Sequence, residues 1–126
     1  MRTIQVNNFK LRVRASTPAL TFYAQAFNKD LIANLVDFQS KNMNKLMNGD
    51  FSGFDSMFLL RLSWAMNKAE HYGESFPDFN EWIKENEDLP ITNPKFIGEI
   101  VAEAAQGFFP REKTGGKPES EQKPRE

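Results

Sequence analysis

The sequence predicts a mainly α fold of the α+β class, in which an N-terminal β-hairpin precedes about five helices packed as a small helical domain. One observation is a short alternation of apolar and polar residues near the N-terminus, which is the period of a strand. The other is a series of apolar blocks at helical spacing, each introduced by a capping residue. A chain of 126 residues that is 40% hydrophobic supports one core. We therefore expect one domain over residues 1–110.

The hairpin is predicted from Thr3 to Ala15, with a tight turn at Asn7-Asn8 because Asn tolerates positive φ. Its basic residues Lys10, Arg12 and Arg14 share one face of the second strand. We interpret that face as solvent-exposed, since an alternating charged face usually keeps a strand wet. The apolar residues of the opposite face are Ile4, Val6, Leu11 and Val13.

The first two helices are delimited by residues that start and stop helices. Thr17 as N-cap and Pro18 at the first helical position open a helix that runs to about Phe27, and Asn28 ends it. Asp30 caps a second helix, which the segment "NGDFSG" interrupts. The apolar side of this second helix comprises Leu31, Ile32, Leu35, Val36, Phe38, Met43 and Met47.

The third helix has an unusually wide apolar arc. Asp55 is its expected cap and Gly73 its expected C-terminal stop. An arc of this width exceeds what an ordinary surface helix needs. The helix is therefore either the central helix of the domain or one that also serves an interface. Its main stripe is Phe58, Leu62, Ala65, Met66, Ala69 and Tyr72, and Met57, Leu59, Leu60 and Trp64 widen it.

Two further helices complete the domain. Asp78 and Glu81 fit a capping box that begins a short helix, and Asn93-Pro94 begins the last one. After residue 110 the sequence "REKTGGKPESEQKPRE" contains no large apolar residue, so we expect residues 111–126 to form a disordered polar tail. The apolar positions of the last helix are Phe96, Ile97, Ile100, Val101, Ala104, Ala105 and Phe108.

No group of residues has the pattern of a catalytic or metal site. The chain has no cysteine, and its one histidine, His71, has Glu74 three residues on, past the helix stop, instead of a ligand at i+4. Carboxylates one turn apart, such as Glu81 and Glu85 or Glu99 and Glu103, are common on solvated helices. We predict neither an enzyme nor a protein that binds a cofactor or a metal.

Charge and hydropathy point to a soluble cytosolic protein. The formal net charge is -1, which gives no general attraction to nucleic acid or membranes. There is no long apolar run and no apolar N-terminal segment typical of a signal peptide. Every charged residue before Asp30 is basic, whereas the span from Glu74 to Glu103 is mostly acidic. This order predicts a dipolar molecule.

Several blocks of the sequence resemble one known family. The order of the basic hairpin, "ALTFYAQAFNKDLIANL", "LLRLSWAMNKA", "FPDFNEWI", a helix ending in "FF" and a polar tail is similar to lambda-like tail assembly chaperones of siphophages and prophages. The resemblance covers about residues 3 to 110. It implies a non-enzymatic protein of the host bacterial cytoplasm that binds the tape measure protein, keeps it soluble and promotes tail tube polymerisation. Such a chaperone is absent from the mature virion.

The family resemblance also implies partners. A longer product made by ribosomal frameshifting often recruits the tail tube (major tail) protein, and Gly115-Gly116-Lys117 is compatible with a slippery codon run. Weak self-association is a further expectation. We predict that the partner-binding surface includes apolar residues of the third helix and the segment after it, because their apolar arc is so wide. These residues are Met57, Leu60, Trp64, Tyr72, Phe76 and Trp82.

Two other functions stay open at the level of sequence. The first is a small helical phage regulator that binds nucleic acid through Lys10, Arg12 and Arg14, although no helix is strongly basic. The second is a small metal-dependent enzyme centred on His71. Nucleic-acid binding is disfavoured by the near-neutral net charge, and the metal enzyme by the lack of a ligand set.

Overall fold

The computed structural model describes residues 1–110, and it confirms the predicted fold class, with a two-stranded antiparallel hairpin followed by five helices. The expected tail over 111–126, and with it the boundary at residue 110, lies outside the described residues. The elements are β1 (Arg2–Val6), β2 (Phe9–Val13), α1 (Thr17–Phe27), α2 (Leu31–Met47), α3 (Ser56–Glu70), α4 (Phe79–Glu85) and α5 (Pro94–Phe108).

The hairpin has the predicted turn. Ile4 pairs with Leu11 across the two strands, and Asn7 adopts a φ of 54°, the left-handed conformation that Asn tolerates. The four predicted apolar residues are all buried, so one face of the hairpin lies on the helices. The backbone N–H of Arg14 donates to the carbonyl of Met66 at 3.0 Å, which fixes the end of β2 to α3.

Side-chain caps begin four of the five helices, and all four were predicted. The Asp30 carboxylate accepts from the N–H of Ala33 at 3.1 Å, and the Asp55 carboxylate accepts from Phe58 at 3.0 Å. Asp78 and Asn93 begin α4 and α5 in the same way. These caps satisfy backbone donors that have no partner inside the helix.

The start of α1 differs from the prediction by one residue. Ser16, with extended φ of −143°, is the N-cap, and Thr17 already belongs to the helix. Proline fits either of the first helical positions, because neither needs an N–H for the helix, so Pro18 did not fix the boundary. The Ser16 hydroxyl makes no capping bond and is buried without a hydrogen-bond partner among residues 1–110.

Helix α3 is the central helix of the domain. Nine of its 15 residues are buried, and it packs against β2 and the other four helices. Its wide apolar arc is therefore accounted for by the domain's own core and is no evidence for an interface. The helix ends at Glu70 with His71 as C-cap, two residues before the predicted stop, and Gly73 (φ 89°) lies in the turn that follows.

The basic face of the hairpin is solvent-exposed, as predicted, and two of its three cations also pair with a carboxylate. Arg12 Nη2 lies 2.7 Å from Glu70 Oε2, and Arg14 Nε lies 3.0 Å from Glu70 Oε1. The Glu70 side chain is only 6% exposed beneath them. Arg2 similarly contacts Glu99 and Glu103 on α5. The basic and acidic parts of the chain thus meet in the fold, and the uneven charge order does not carry over unchanged to the surface.

Candidate partner-binding surface

The six residues predicted to bind a partner lie in three different environments. Met57 and Tyr72 are exposed, at 45% and 69%. Leu60 and Phe76 are half-buried. Trp64 and Trp82 are both 2% exposed, so neither can contact a partner in this fold, and we remove them from the predicted surface.

Trp64 is buried because other aromatic residues cover it, and both tryptophans have partners for their indole N–H groups. Trp64 lies beneath Phe27 and Phe79, with ring centroids 5.5 Å and 6.1 Å away. Its indole N–H donates to the carbonyl of Pro77 at 3.2 Å. The indole N–H of Trp82 donates to Asn67 at 2.9 Å. Both polar ends are satisfied inside the domain, as expected for buried tryptophans.

The part of α3 that stays accessible follows one face of the helix. Met57, Arg61, Lys68 and Tyr72 are spaced by four, seven and four residues, which places them in one row along the helix and its following turn. Half-buried aromatic rings from α1 and α4 border this row. We call the whole surface the α3 strip, and its residues are Phe22, Phe27, Met57, Arg61, Lys68, Tyr72 and Phe79.

Helix α1 runs antiparallel to α3 along the strip and holds its two cations against rings. Lys68 Nζ lies 4.5 Å from the centroid of Phe22, and Arg61 Cζ lies 5.7 Å from the centroid of Phe27. These distances are within the range of cation–π attraction. The ring of Phe22 also lies 6.1 Å from that of Tyr72. The cations and aromatic rings therefore alternate along one continuous surface.

Two open grooves lie along the strip, and an aromatic ridge lines the first of them. The ridge is formed by Phe27 and Phe79, whose centroids are 5.0 Å apart. The groove beyond Arg61 has a volume of about 450 Å³, and the groove beside Tyr72 about 520 Å³. Such volumes accommodate several side chains of a partner. The first groove is lined by Ala26, Phe27, Met57, Arg61, Asp78, Phe79 and Asn80, and the second by Thr17, Pro18, Thr21, Phe22, Gln25 and Tyr72.

The charges of the strip are not neutralised by the described residues. Within residues 1–110, no carboxylate oxygen lies within 4.0 Å of a nitrogen of Arg61 or Lys68. Arg61 Nε is buried there without a hydrogen-bond partner. Asp78 lines the same groove, but its carboxylate accepts the N–H of Glu81 as the cap of α4. The strip is thus aromatic and cationic.

A smaller apolar cavity of about 160 Å³ lies between the end of α2 and the start of α5. Met47 and Phe51 at its edge are exposed, whereas Met66, another methionine of the middle region, is fully buried. The methionines therefore do not form one surface. The cavity is lined by Met43, Leu46, Met47, Phe51, Pro94, Ile97 and Gly98.

The side chain of His71 contacts two neighbouring residues of the same turn region, Glu74 and Phe76. Its Nδ1 lies 3.3 Å from Glu74 Oε1, and its ring stacks on Phe76 at 5.7 Å. Among residues 1–110, no three side chains of the metal-binding types are grouped so that they could hold a metal ion. Of the paired carboxylates, Glu99 and Glu103 face Arg2.

Sequence reasoning missed most of the strip. Neither the cations Arg61 and Lys68 nor the rings of α1 were assigned to a site from the sequence. The row of positions 57, 61, 68 and 72 was a usable signal, because such spacing places residues on one helix face. Which face the domain leaves uncovered depends on how α1 and α4 pack, and the sequence does not state that.

Comparison of the chain with protein-family models, with curated proteins and with solved structures gives no match. Among residues 1–110, none of the helices combines the length and the apolar character needed to cross a membrane. The proposed function therefore rests on the sequence blocks and on the α3 strip.

Proposed function

We propose that this protein is a phage tail assembly chaperone that binds the tape measure protein and keeps it soluble while tail tube subunits polymerise around it. The observation that carries the proposal is the α3 strip, an accessible row of apolar and cationic side chains with two unfilled grooves. A long helical client exposes apolar stripes, and a groove lined by aromatic rings and a flexible methionine can cover them.

The position of the strip supports a binding role. Met57 lies at the start of α3 and Tyr72 in the turn after its end, so a client helix lying along the strip can contact both. The core beneath holds α3 in place, so the surface is formed before a client arrives. A preformed surface loses less conformational entropy on binding.

The proposed partners and location follow from the family resemblance. We propose that the protein acts in the host bacterial cytoplasm, is absent from the finished virion and associates weakly with itself. A frameshifted longer product would recruit the tail tube protein. Its candidate site, residues 115–117, lies outside the described residues, and reading the codons for Gly115-Gly116-Lys117 tests whether a one-base slip can re-pair there.

The nucleic-acid-binding alternative gains no support from the fold. Lys10, Arg12 and Arg14 were its expected phosphate contacts, and the two arginines are engaged by Glu70. Salt-dependent binding to duplex DNA that disappears in an Arg12→Gln/Arg14→Gln variant would favour it over the chaperone.

Co-expression with the product of the long gene next downstream tests the proposal. We expect that product to aggregate alone and to become soluble with this protein. Met57→Glu and Tyr72→Glu place a charge on the strip and should reduce co-solubilisation, because a carboxylate in an apolar contact must be desolvated.

Val36→Glu is the matched control, since Val36 is an exposed apolar residue on α2, outside the strip. It should leave co-solubilisation unchanged. Normal co-purification of the downstream product with both strip variants, each with a native circular dichroism spectrum, would refute the proposed role of the strip.

A further inference from the structure

The proposed function leaves open which client segment binds, and the charges of the α3 strip restrict the choice. Arg2, Arg12 and Arg14 all contact glutamates. Within the described residues Arg61 has no such partner, although it is half-buried. A partly desolvated cation without a counter-ion is unfavourable, so its position favours an anion supplied from outside the domain.

Lys68 is a second cation of the strip that contacts no carboxylate of the described residues, and it lies two turns further along α3. It is half-buried against Phe22 and Trp64, at 4.5 Å and 5.1 Å from their centroids, and contacts no carboxylate of residues 1–110. Stacking on rings restrains a cation but leaves its N–H groups free to donate. Arg61 Nε is buried and out of a partner's reach, so the donors held in place for a partner are the Nη groups of Arg61 and the Nζ of Lys68.

The spacing of the two cations sets the spacing of the anions. Arg61 and Lys68 are seven residues apart, which is two helical turns or about 10.5 Å along α3. In a helix running beside α3, side chains seven residues apart also lie on one face at that separation. A partner helix can thus present one carboxylate to each cation.

The ridge and grooves restrict the residues between and outside these carboxylates. Phe27 and Phe79 cover Trp64. Trp64 lies between Arg61 and Lys68 along α3, so the partner needs a small residue midway between its acids. The grooves extend outward toward Met57 and toward Tyr72 and can take larger apolar side chains. Those side chains would lie about one turn outside each carboxylate.

We propose that the α3 strip selects, within the client, an amphipathic helix whose apolar face carries two carboxylates seven residues apart with a small residue between them. This inference rests on the proposed function, because it specifies the segment that the chaperone recognises. Opposite charges at fixed spacing give such a surface specificity beyond apolar burial.

Designed peptides test the spacing with the full-length chain. The probe is an alanine-rich, N-acetylated helix with leucines for the grooves and glutamates at positions i and i+7. One comparison peptide has glutamine at both positions, and another has its glutamates at i and i+4. We expect the i, i+7 acidic peptide to bind about tenfold more tightly than either comparison peptide, as two partly exposed ion pairs would give.

An Arg61→Gln/Lys68→Gln variant should lose this preference while still binding the glutamine peptide. The matched control is Lys10→Gln/Lys84→Gln, which removes the same charge from exposed positions outside the strip and should keep the preference. Equal affinity of the wild-type chain for all three peptides, no binding of any, or a preference retained by the strip variant would each overturn the proposal. If duplex DNA binds the wild-type chain but not an Arg61 variant, the strip binds phosphate groups of nucleic acid and not client carboxylates.

The peptide and client assays separate the two proposals. Solubilisation of the downstream protein without any peptide preference would support the chaperone function and refute the proposed selection of two carboxylates seven residues apart. A clear preference for the i, i+7 peptide without solubilisation of that protein would support the proposed carboxylate spacing. It would also refute the tape measure protein as the client.

Discussion

The indole nitrogen of Trp82 on α4 donates a hydrogen bond to the amide oxygen of Asn67 on α3 across 2.9 Å. The amide nitrogen of Asn67 in turn donates to the carbonyl of Arg12 on β2 at 2.7 Å. One buried amide therefore connects the central helix to both the short helix and the hairpin.

Asn67→Leu should destabilise the domain by about 2–4 kcal/mol, because it leaves the buried indole N–H of Trp82 and the part-buried carbonyl of Arg12 without partners, at about 1–3 kcal/mol each. Urea unfolding followed by tryptophan fluorescence measures the loss. Asn44→Leu, on the exposed side of α2, is the control and should change the free energy of unfolding little. Equal stability of the two variants would show that water replaces the two hydrogen bonds of the Asn67 amide.

Two glycines of α5 should respond in opposite ways to the same substitution. A Cβ at Gly107 would meet the side chain of Ala15 and lie 2.5 Å from its carbonyl oxygen, whereas a Cβ at Gly98 would have nothing within 4 Å. We expect Gly107→Ala to cost about 1–3 kcal/mol through overpacking. Gly98→Ala should add up to about 1 kcal/mol, because alanine favours the helix.

Thermal unfolding of both variants against the wild type provides the comparison. Each variant serves as the other's control, since both add one methyl group to the same helix. A rise in Tm for Gly107→Ala would mean that the hairpin end can move away from α5 without loss.

Glu70→Gln should destabilise the domain by about 1–2 kcal/mol, since it removes the charge that pairs with Arg12 and Arg14. High salt should reduce this difference only in part, because the carboxylate is buried while the guanidinium groups are half-exposed. Chemical denaturation at low and high ionic strength measures both effects. Glu87→Gln, at an exposed position before α5, is the control, and an equal loss in that variant would contradict the role of the pair.

Alkaline pH should unfold the protein partly through Tyr23. Burial raises the pKa of Tyr23 from 10.0 to about 12, the Arg61 guanidinium partly offsets the rise, and the Asp55 carboxylate adds to it. Below the unfolded-state pKa the phenol is neutral in both states, so its contribution is fully present. As the pH rises from 10.0 to about 12, only the unfolded chain ionises, and about 2–3 kcal/mol of stability is lost.

Denaturant titrations at several alkaline pH values, compared with Tyr23→Phe, measure this loss. The variant lacks the hydroxyl that donates to Asn34 at 2.8 Å, so it starts less stable but should decline less steeply with pH. If the free energy of unfolding falls equally steeply with pH in the wild type and in Tyr23→Phe, groups other than Tyr23 cause the alkaline unfolding.

Local signals in the sequence were sufficient for the helices and the hairpin. Asp30, Asp55 and Asn93 cap helices through hydrogen bonds to residues within one turn. Their roles can therefore be predicted from the adjacent sequence. The Glu70 contact to Arg12 spans 58 residues, and no local pattern encodes it.

The burial of Trp64 could not be predicted from the sequence either. It depends on Phe27 and Phe79, which come from two other helices, so an aromatic residue on a wide apolar arc looks the same whether covered or exposed. The strip became visible only once those helices were placed.

The contact between the hairpin and α5 has a consequence for the order of synthesis. Glu103 accepts the N–H of Ala15 across 88 residues of chain, and Arg2 contacts Gln106 across 104. The segment translated early thus finds its last partners only when α5 has left the ribosome. Contacts of such long range slow folding. Helix α3 can cover β2 earlier, but the part of the hairpin that packs on α5 stays uncovered until α5 is made, and a pause in translation before α5 would prolong its exposure to aggregation.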